Sequence, residues 1–250
     1  MPSIKKFLGP ASAYKFRIDI SSRGLPPNGG GVVKYSFHPI MKILPIQLIN
    51  TGKIFKIRVI KGAKEILNKF LSDVYIISSP QTFENSGKSP GYGICLWAET
   101  KQGAIYSAEE MSEPKLQDSE EVNSKITIPF DIGVKAAHHL LNQIFKNGYV
   151  DDAAQSIFLS LMALEGCRNV SQLSIGSPTP YTVENIKLIL SFLGVKFHFQ
   201  YMSEVEMSHD NNFKLDENAV LSKSSTTTGA VPLLVTCFGS GLQNYNKEIL

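Results

Sequence analysis

Polar and apolar residues alternate strictly from Lys15 to Ser21, which predicts a strand with Phe16, Ile18 and Ile20 on one buried face. Arg23-Gly24-Leu25-Pro26-Pro27-Asn28-Gly29-Gly30-Gly31 then reads as a turn. Val32 to His38 returns as a second strand, with Val33, Tyr35 and Phe37 on one face. Before these, Met1 to Leu8 has the look of a helix tail too short to be stable alone.

Lys53 to Ile60 alternates again, with Phe55, Ile57 and Val59 inward. Ala63, Ile66, Leu67 and Phe70 recur at helical spacing, and Val74 to Ile77 follows as a strand. From Ser86 to Gly93 the chain holds three glycines, a proline, two serines and Lys88, a composition of ordered turns. Tyr92 to Glu99 is an aromatic-rich strand. Lys101-Gln102-Gly103 turns it back onto Ala104 to Ser107. Residues from about 50 to 112 thus form a small α+β module.

The second half is more helical. Glu109 to Ser124 is acidic and polar and reads as a mobile linker. Asp131 is placed to cap a helix with the stripe Ala137, Leu140, Leu141, Ile144 and Phe145, stopped by Gly148. Asp151 or Asp152 caps the next, with Ala154, Ile157, Phe158, Leu161 and Met162 inward and Gly166 beyond its end. Tyr181 to Leu193 is a third helix, ended by Gly194. Val195 to Tyr201 alternates as a strand with His198 on its polar face. Met202 to Gly229 is polar and reads as a disordered insertion, and Val231 to Phe238 is the last strand.

Composition alters this picture in one respect. The net charge of +3 conceals a basic N-terminal third: residues 1–70 carry 13 Lys and Arg against Asp19 and Glu65. A basic third on an otherwise acidic chain suggests a surface facing a polyanion, unless the lysines are spread over solvated surface. Cys95, Cys167 and Cys237 are far apart, with no metal-ligand spacing and no disulfide framework, which points to a reducing compartment. No apolar run is long enough to span a bilayer as a helix, and no signal-peptide core is present at the N-terminus.

Candidate chemistry is sparse. Gly87-Lys88-Ser89 ends like a nucleotide P-loop, but Thr82 stands where that motif needs glycine and a strand follows where it needs a helix. What remains is a glycine-rich loop that presents Lys88 and backbone N–H groups, a geometry able to receive a phosphate. Gly29, Gly30 and Gly31 exceed what a hairpin requires and let backbone come close to a packed neighbour or to a ligand. The pair His138-His139 has no carboxylate or cysteine at ligand spacing, so no metal site is expected. No Ser-His-Asp or Cys-His arrangement stands out.

Several stretches together resemble one family, the RNA 3′-terminal phosphate cyclases, and within it the cyclase-like branch. They are Arg23-Gly24 with Pro27 and Gly29-Gly30-Gly31; Glu84 to Gly93; Ala98-Glu99-Thr100 with Ser107-Ala108-Glu109; and Gly148, Val150, Asp151 and Gln155. Further on are Ser177, Pro178, Pro180 and Tyr181, Gly194 to Phe197, and Gly239-Ser240-Gly241 with Asn244. The resemblance implies an α+β fold of repeated α/β units, small sheets packed on helices, with a smaller α/β domain inserted at residues 50–112. Residues 1–49 and 113–250 would form the main domain, N-terminally incomplete, because the resemblance implies that the family's N-terminal portion, which would lie upstream of Met1, is absent from this sequence.

True cyclases activate an RNA 3′-phosphate through an adenylylated histidine, for which an imidazole suits because it is both nucleophile and leaving group. The resemblance puts Tyr181 at that position, and a phenol without an activating base is a poor nucleophile. Of the adenylate-contacting segment, matched by Asp151 to Gln155, only Gln155 keeps the family residue. Both departures point away from cyclase chemistry and towards the cyclase-like branch, and the resemblance to that branch implies a non-catalytic nucleolar factor, in the nucleus, for small-subunit pre-rRNA processing. The implied partners are pre-ribosomal RNA, a ribosome-biogenesis GTPase and the small-subunit pre-ribosome; no cofactor, metal or membrane is expected. Arg23, Lys34 and Lys88 are the expected phosphate-positioning cations, beside Gly29, Gly30 and Gly31. The alternative is an enzyme, either a residual 3′-phosphate cyclase or an RNA endonuclease using Lys196, His198 or Arg23.

Overall fold

A computed structural model describes residues 2–9, 16–25, 27–51, 54–58, 63, 66–69, 74–75, 88, 91–113, 128–166, 169–202 and 230–245. Through the chain the elements run α1 (Pro2–Leu8), β1 (Arg17–Ser22), β2 (Val32–Ser36), β3 (Gln47–Leu48), β4 (Ile54–Arg58), β5 (Val74–Tyr75), β6 (Gly93–Thr100) and β7 (Ile105–Met111). They continue as α2 (Pro129–Lys146), α3 (Gln155–Ala163), β8 (Val170–Ile175), α4 (Pro180–Leu193), β9 (Phe197–Tyr201) and β10 (Leu233–Phe238). Two units result. One comprises Met1–Leu44, Gly52–Leu141 and Gln243–Leu250, the other Pro45–Thr51 and Asn142–Leu242.

The first unit contains the antiparallel ribbon β1–β2 and a sheet in the order β5-β4-β6-β7. β4 and β5 are parallel, and helical residues Ala63, Ile66 and Leu67 lie between them in the chain, as a crossover connection requires. β6 and β7 form a hairpin in which Leu96 faces Ala108 and Ala98 faces Tyr106, all four buried. Gly103, at φ 80°, closes its turn in the left-handed conformation that a side chain disfavours.

In the second unit the sheet order is β3-β8-β10-β9. β3 runs parallel to β8, and β10 lies antiparallel to both β8 and β9. Leu159, Met162, Leu173, Ile175 and Val235 form its water-free core, each contributing about 1.5–3 kcal/mol. α4 is fully specified at its ends: the Thr179 hydroxyl accepts from Thr182 N, Pro180 opens the first turn, and Gly194 leaves it at φ 65°.

Several local expectations need correction. The β1–β2 ribbon forms, but its apolar face is not buried: Ile20, Val33, Tyr35 and Phe37 are all exposed, because two strands alone cannot enclose one. Glu109 to Met111 belong to β7 rather than to a linker. α2 begins at Pro129, so Asp131 lies inside its first turn instead of capping it. The buried stripe of α2 is Ile132, Gly133, Ala136, Ala137 and Leu140, while Phe145 is exposed. Asn147, at φ 54°, supplies the left-handed stop expected of Gly148. Gly148 is needed for a different reason, since a Cβ there would sit 2.7 Å from the Ile175 carbonyl carbon. In α3, apolar on every side, Ile157 faces out and Leu159 and Ala163 face in. The strand β9 exposes Phe199 and Tyr201 along with His198. The expectations for residues 114–124, for Phe70 and for residues 203–229 lie outside the described residues.

Glu165 is fully buried under the closing turn, where its carbonyl accepts from Gly241 N at 2.9 Å and its carboxylate from Asn169 N at 3.1 Å. Nearby Cys237 is also buried. Desolvation first, and the Glu165 charge second, push its thiol from 9.0 up to about 12. Between those values the unfolded chain holds fewer protons than the folded one, so this thiol makes stability fall as pH rises through that window. Urea unfolding from pH 9 to 12 should therefore show a shallower alkaline loss in Cys237→Ala than in the parent; parallel profiles would refute the assignment.

Candidate functional site

Two groups of residues singled out from the sequence are each assembled by the fold, one in each unit. In the first unit the turn after β1 folds back on itself. Gly29 N donates to Leu25 O at 2.9 Å, and the Ser22 hydroxyl donates to Gly30 O at 3.0 Å. Gly29 and Gly30 sit at φ 61° and 87°, in the left-handed region. Gly24 and Gly31 are glycines because the backbone crosses itself there. A Cβ on Gly24 would lie 2.6 Å from the Gly29 carbonyl carbon, and closer still to Gly31 N.

The second glycine-rich stretch docks on the first. Lys88 N donates to Gly29 O at 2.9 Å, and Gly91 lies against Leu25, whose Cδ1 would be 2.6 Å from an added Cβ. Tyr92 and Ser112 then fix the start of β6: Ser112 N donates to Tyr92 O at 2.9 Å and Tyr92 N to the Ser112 hydroxyl at 3.2 Å. Gly24 and Gly31 thus let the first loop cross itself, Gly29 and Gly30 supply its left-handed backbone, and Gly91 lets the second loop come close to Leu25. Around them Arg23, Lys34 and Lys88 are all exposed, and none forms an ion pair among the described residues. Lys34 stands directly opposite Asp19 in the ribbon, which moderates its field. Arg23 is close enough to Cys95 to act on its thiol, which burial first and Glu109 next push upward while Arg23 pulls it down.

In the second unit the structure brings Gln155 to the start of the helix that carries Tyr181. The Gln155 amide oxygen accepts from the Thr182 hydroxyl at 2.9 Å and from Thr179 N at 3.3 Å, and its amide nitrogen donates to Ser177 O at 3.2 Å. Asn185 extends the seam, donating to Ser156 O at 3.1 Å and the Ser160 hydroxyl at 3.2 Å. Gln155 is wholly buried, whereas Tyr181, one residue before Thr182, is 74% exposed. Its hydroxyl has no hydrogen-bond partner among the described residues. Asp151 enters α3 through its side chain, which accepts from Ala154 N at 3.0 Å. Asp152 instead receives Lys146 and the Gln143 amide, the latter at 3.0 Å.

Sequence reasoning missed Thr179, Thr182 and Asn185. Their signal was present as small polar residues inside an otherwise apolar helix start, which need partners when buried. Lys196 and His198 lie exposed at the start of β9. His138 is exposed, and His139 Nδ1 lies 2.9 Å from Glu110 Oε1. Among the described residues no group of three His, Cys, Asp or Glu side chains is placed to hold a metal ion. Among them, too, no helix is long and apolar enough to cross a membrane.

Two substitutions probe these assemblies. Gly24→Ala should destabilise the folded loop by about 1–3 kcal/mol, since neither facing element is a movable side chain, and protease nicking near residue 24 should rise. Gln155→Ala leaves Thr179 N and the Thr182 hydroxyl without their buried acceptor. It should lower stability by about 2–4 kcal/mol, and an unchanged thermal midpoint would contradict the network.

Comparison with known proteins places this geometry in context. The family model for the RNA 3′-terminal phosphate cyclase insert domain matches residues 53–145. The chain is 35% identical to the RNA 3′-terminal phosphate cyclase-like protein of Bos taurus, and 35% to that of Homo sapiens. Each alignment covers 100% of this chain and 63% of the relative, so the chain spans less than two thirds of the length of these proteins. It is also 29% identical to the rRNA processing protein rcl1 of Schizosaccharomyces pombe, over 83% of this chain and 59% of that protein. With its α+β architecture and the matching insert domain, the chain belongs to the RNA 3′-terminal phosphate cyclase family, among its cyclase-like proteins.

Proposed function

We propose that this chain is a non-catalytic factor of pre-rRNA processing, acting on the small-subunit pre-ribosome in the nucleolus. It contacts pre-ribosomal RNA through Arg23, Lys34 and Lys88 beside the backbone of Gly29, Gly30 and Gly31, and works with a ribosome-biogenesis GTPase. Residues 50–112 serve as the inserted domain. The naming of a Schizosaccharomyces pombe relative as an rRNA processing protein supports the process.

The observation that carries the non-catalytic reading is the state of the two residues at the family's nucleotide positions. Gln155 has both ends of its amide engaged inside the protein, holding the start of α4. The Tyr181 hydroxyl makes no hydrogen bond among the described residues, and a phenol that no base activates is a poor nucleophile, which supports this reading. For binding, unpaired cations beside folded backbone position phosphates without reading sequence, and their affinity falls with salt as counterions are released.

The test has two arms. Incubated with radiolabelled ATP and a 3′-phosphorylated RNA, the chain should show no covalent label and no 2′,3′-cyclic product; either one would overturn the non-catalytic reading. In parallel, binding to pre-rRNA fragments should weaken with salt, and Arg23→Ala with Lys88→Ala should flatten that dependence by roughly one phosphate contact each. Cleavage of the fragments, lost in Lys196→Ala or His198→Ala, would instead favour the endonuclease.

A further inference from the structure

An edge strand carries a row of backbone donors and acceptors that pair with any strand laid alongside, and folded chains blunt such edges with charges, prolines, bulges or brevity. β3 and β5, at the edges of the two larger sheets, are each two residues long. β7 carries the adjacent carboxylates Glu109 and Glu110. In the ribbon, β1 holds Arg17 and Asp19 with a register shift between Ile20 and Ser22, and β2 holds Lys34. β9 differs from all of these. It is the outer strand of its sheet, reads Phe197-His198-Phe199-Gln200-Tyr201, has no Asp, Glu, Lys, Arg or Pro, and pairs with β10 without a bulge. Among the described residues its backbone makes no hydrogen bond except to β10.

We propose that β9 pairs antiparallel with the β9 of a second copy of this chain, joining two four-stranded sheets into one. The strand selects that occupant because its sequence is complementary to itself. About a twofold axis at Phe199, each copy's Phe197 lies opposite the other's Tyr201, the two Phe199 residues face each other, and His198 lies opposite Gln200. The aromatic positions all fall on one face, where cross-strand aromatic pairs stabilise a sheet, and the polar pairs fall on the other. A slip of one residue sets aromatic against polar positions, so the pattern specifies this register. Lys196, the charge just outside the strand, comes opposite Met202, and no like charges meet. Phe199 and Tyr201, 38% and 74% exposed, have β10 on one side only; the second copy covers the other. Five residues a side make a small interface, so the association is weak and depends on concentration.

Sedimentation and amide hydrogen exchange of the full chain, from about 1 to about 300 μM, read the pairing without any variant. The chain should pass from monomer to dimer, and the amides of residues 197–201 should become more protected as it does. Phe199→Lys and Phe199→Glu each set like charges across the axis, so either alone should weaken association about tenfold or more. An equimolar mixture of the two should restore it, which a mere folding defect would not allow. A chain that stays monomeric throughout overturns the pairing and leaves this edge to the strand of another protein. Protection of β9 already present in the monomer overturns it as well, since the chain then covers its own edge. So does dimerisation with unchanged exchange in β9, or dimerisation that survives both substitutions, because the copies then meet on another surface.

Discussion

A primary amide sealed from water has one acceptor and two donor positions to satisfy, and Gln155 meets this by tying two helices together. Its oxygen holds the backbone and hydroxyl at the start of α4, and its nitrogen holds the loop that leads there. Such a network is worth more than a single bond because leaving any member unpaired in a low-dielectric interior is costly. Thr179 and Thr182 then close on each other, so the same atoms cap the helix and attach it to α3. The start of α4 is thereby held rigidly, while Tyr181, one residue before Thr182, stays exposed to solvent.

The first unit depends on a steric constraint instead. A two-stranded ribbon is marginal by itself. Here the turn that joins its strands is fastened by backbone crossing backbone, with Gly24 and Gly31 allowing the approach and Gly29 accepting from Lys88. The glycines of the first stretch make room for their own backbone, and Gly91 of the second makes room for Leu25, so these glycines have a steric reason without a nucleotide motif.

How much of this was legible follows the strength of local signals. α4 was read almost to the residue, since Pro180 and Gly194 mark its ends. The β6–β7 hairpin was read as well, because alternation and Gly103 agree. α3 was located but its inward face was not: with apolar residues all round, periodicity carries no direction, and the buried faces of Gln155 and Ser156 are set by partners on α4. The ribbon failed in the opposite way. Its alternation was correct, yet alternation tells only that Ile20 and Tyr35 share a face, not whether anything lies on it. In the site, residue types drew notice to Lys88 and to Gly29 separately, but their hydrogen bond is a long-range fact no local pattern contains.

The sheet of the second unit carries a consequence for the order of events during synthesis. β3 enters it through a parallel pairing with β8, and Ile46 N reaches the Ser171 hydroxyl across 125 positions in the sequence. Loop closure over so long a stretch is slow and entropically costly if the intervening chain is still unfolded. Most of that stretch belongs to the other unit, which has its own hairpins and short crossover. Emerging from the ribosome, the module between β3 and β8 can condense first and shorten the span that remains to be closed. The segment Pro45–Thr51 then waits as a short unpaired strand until β8 arrives, and the nascent chain is most exposed to chaperones and proteases in that interval.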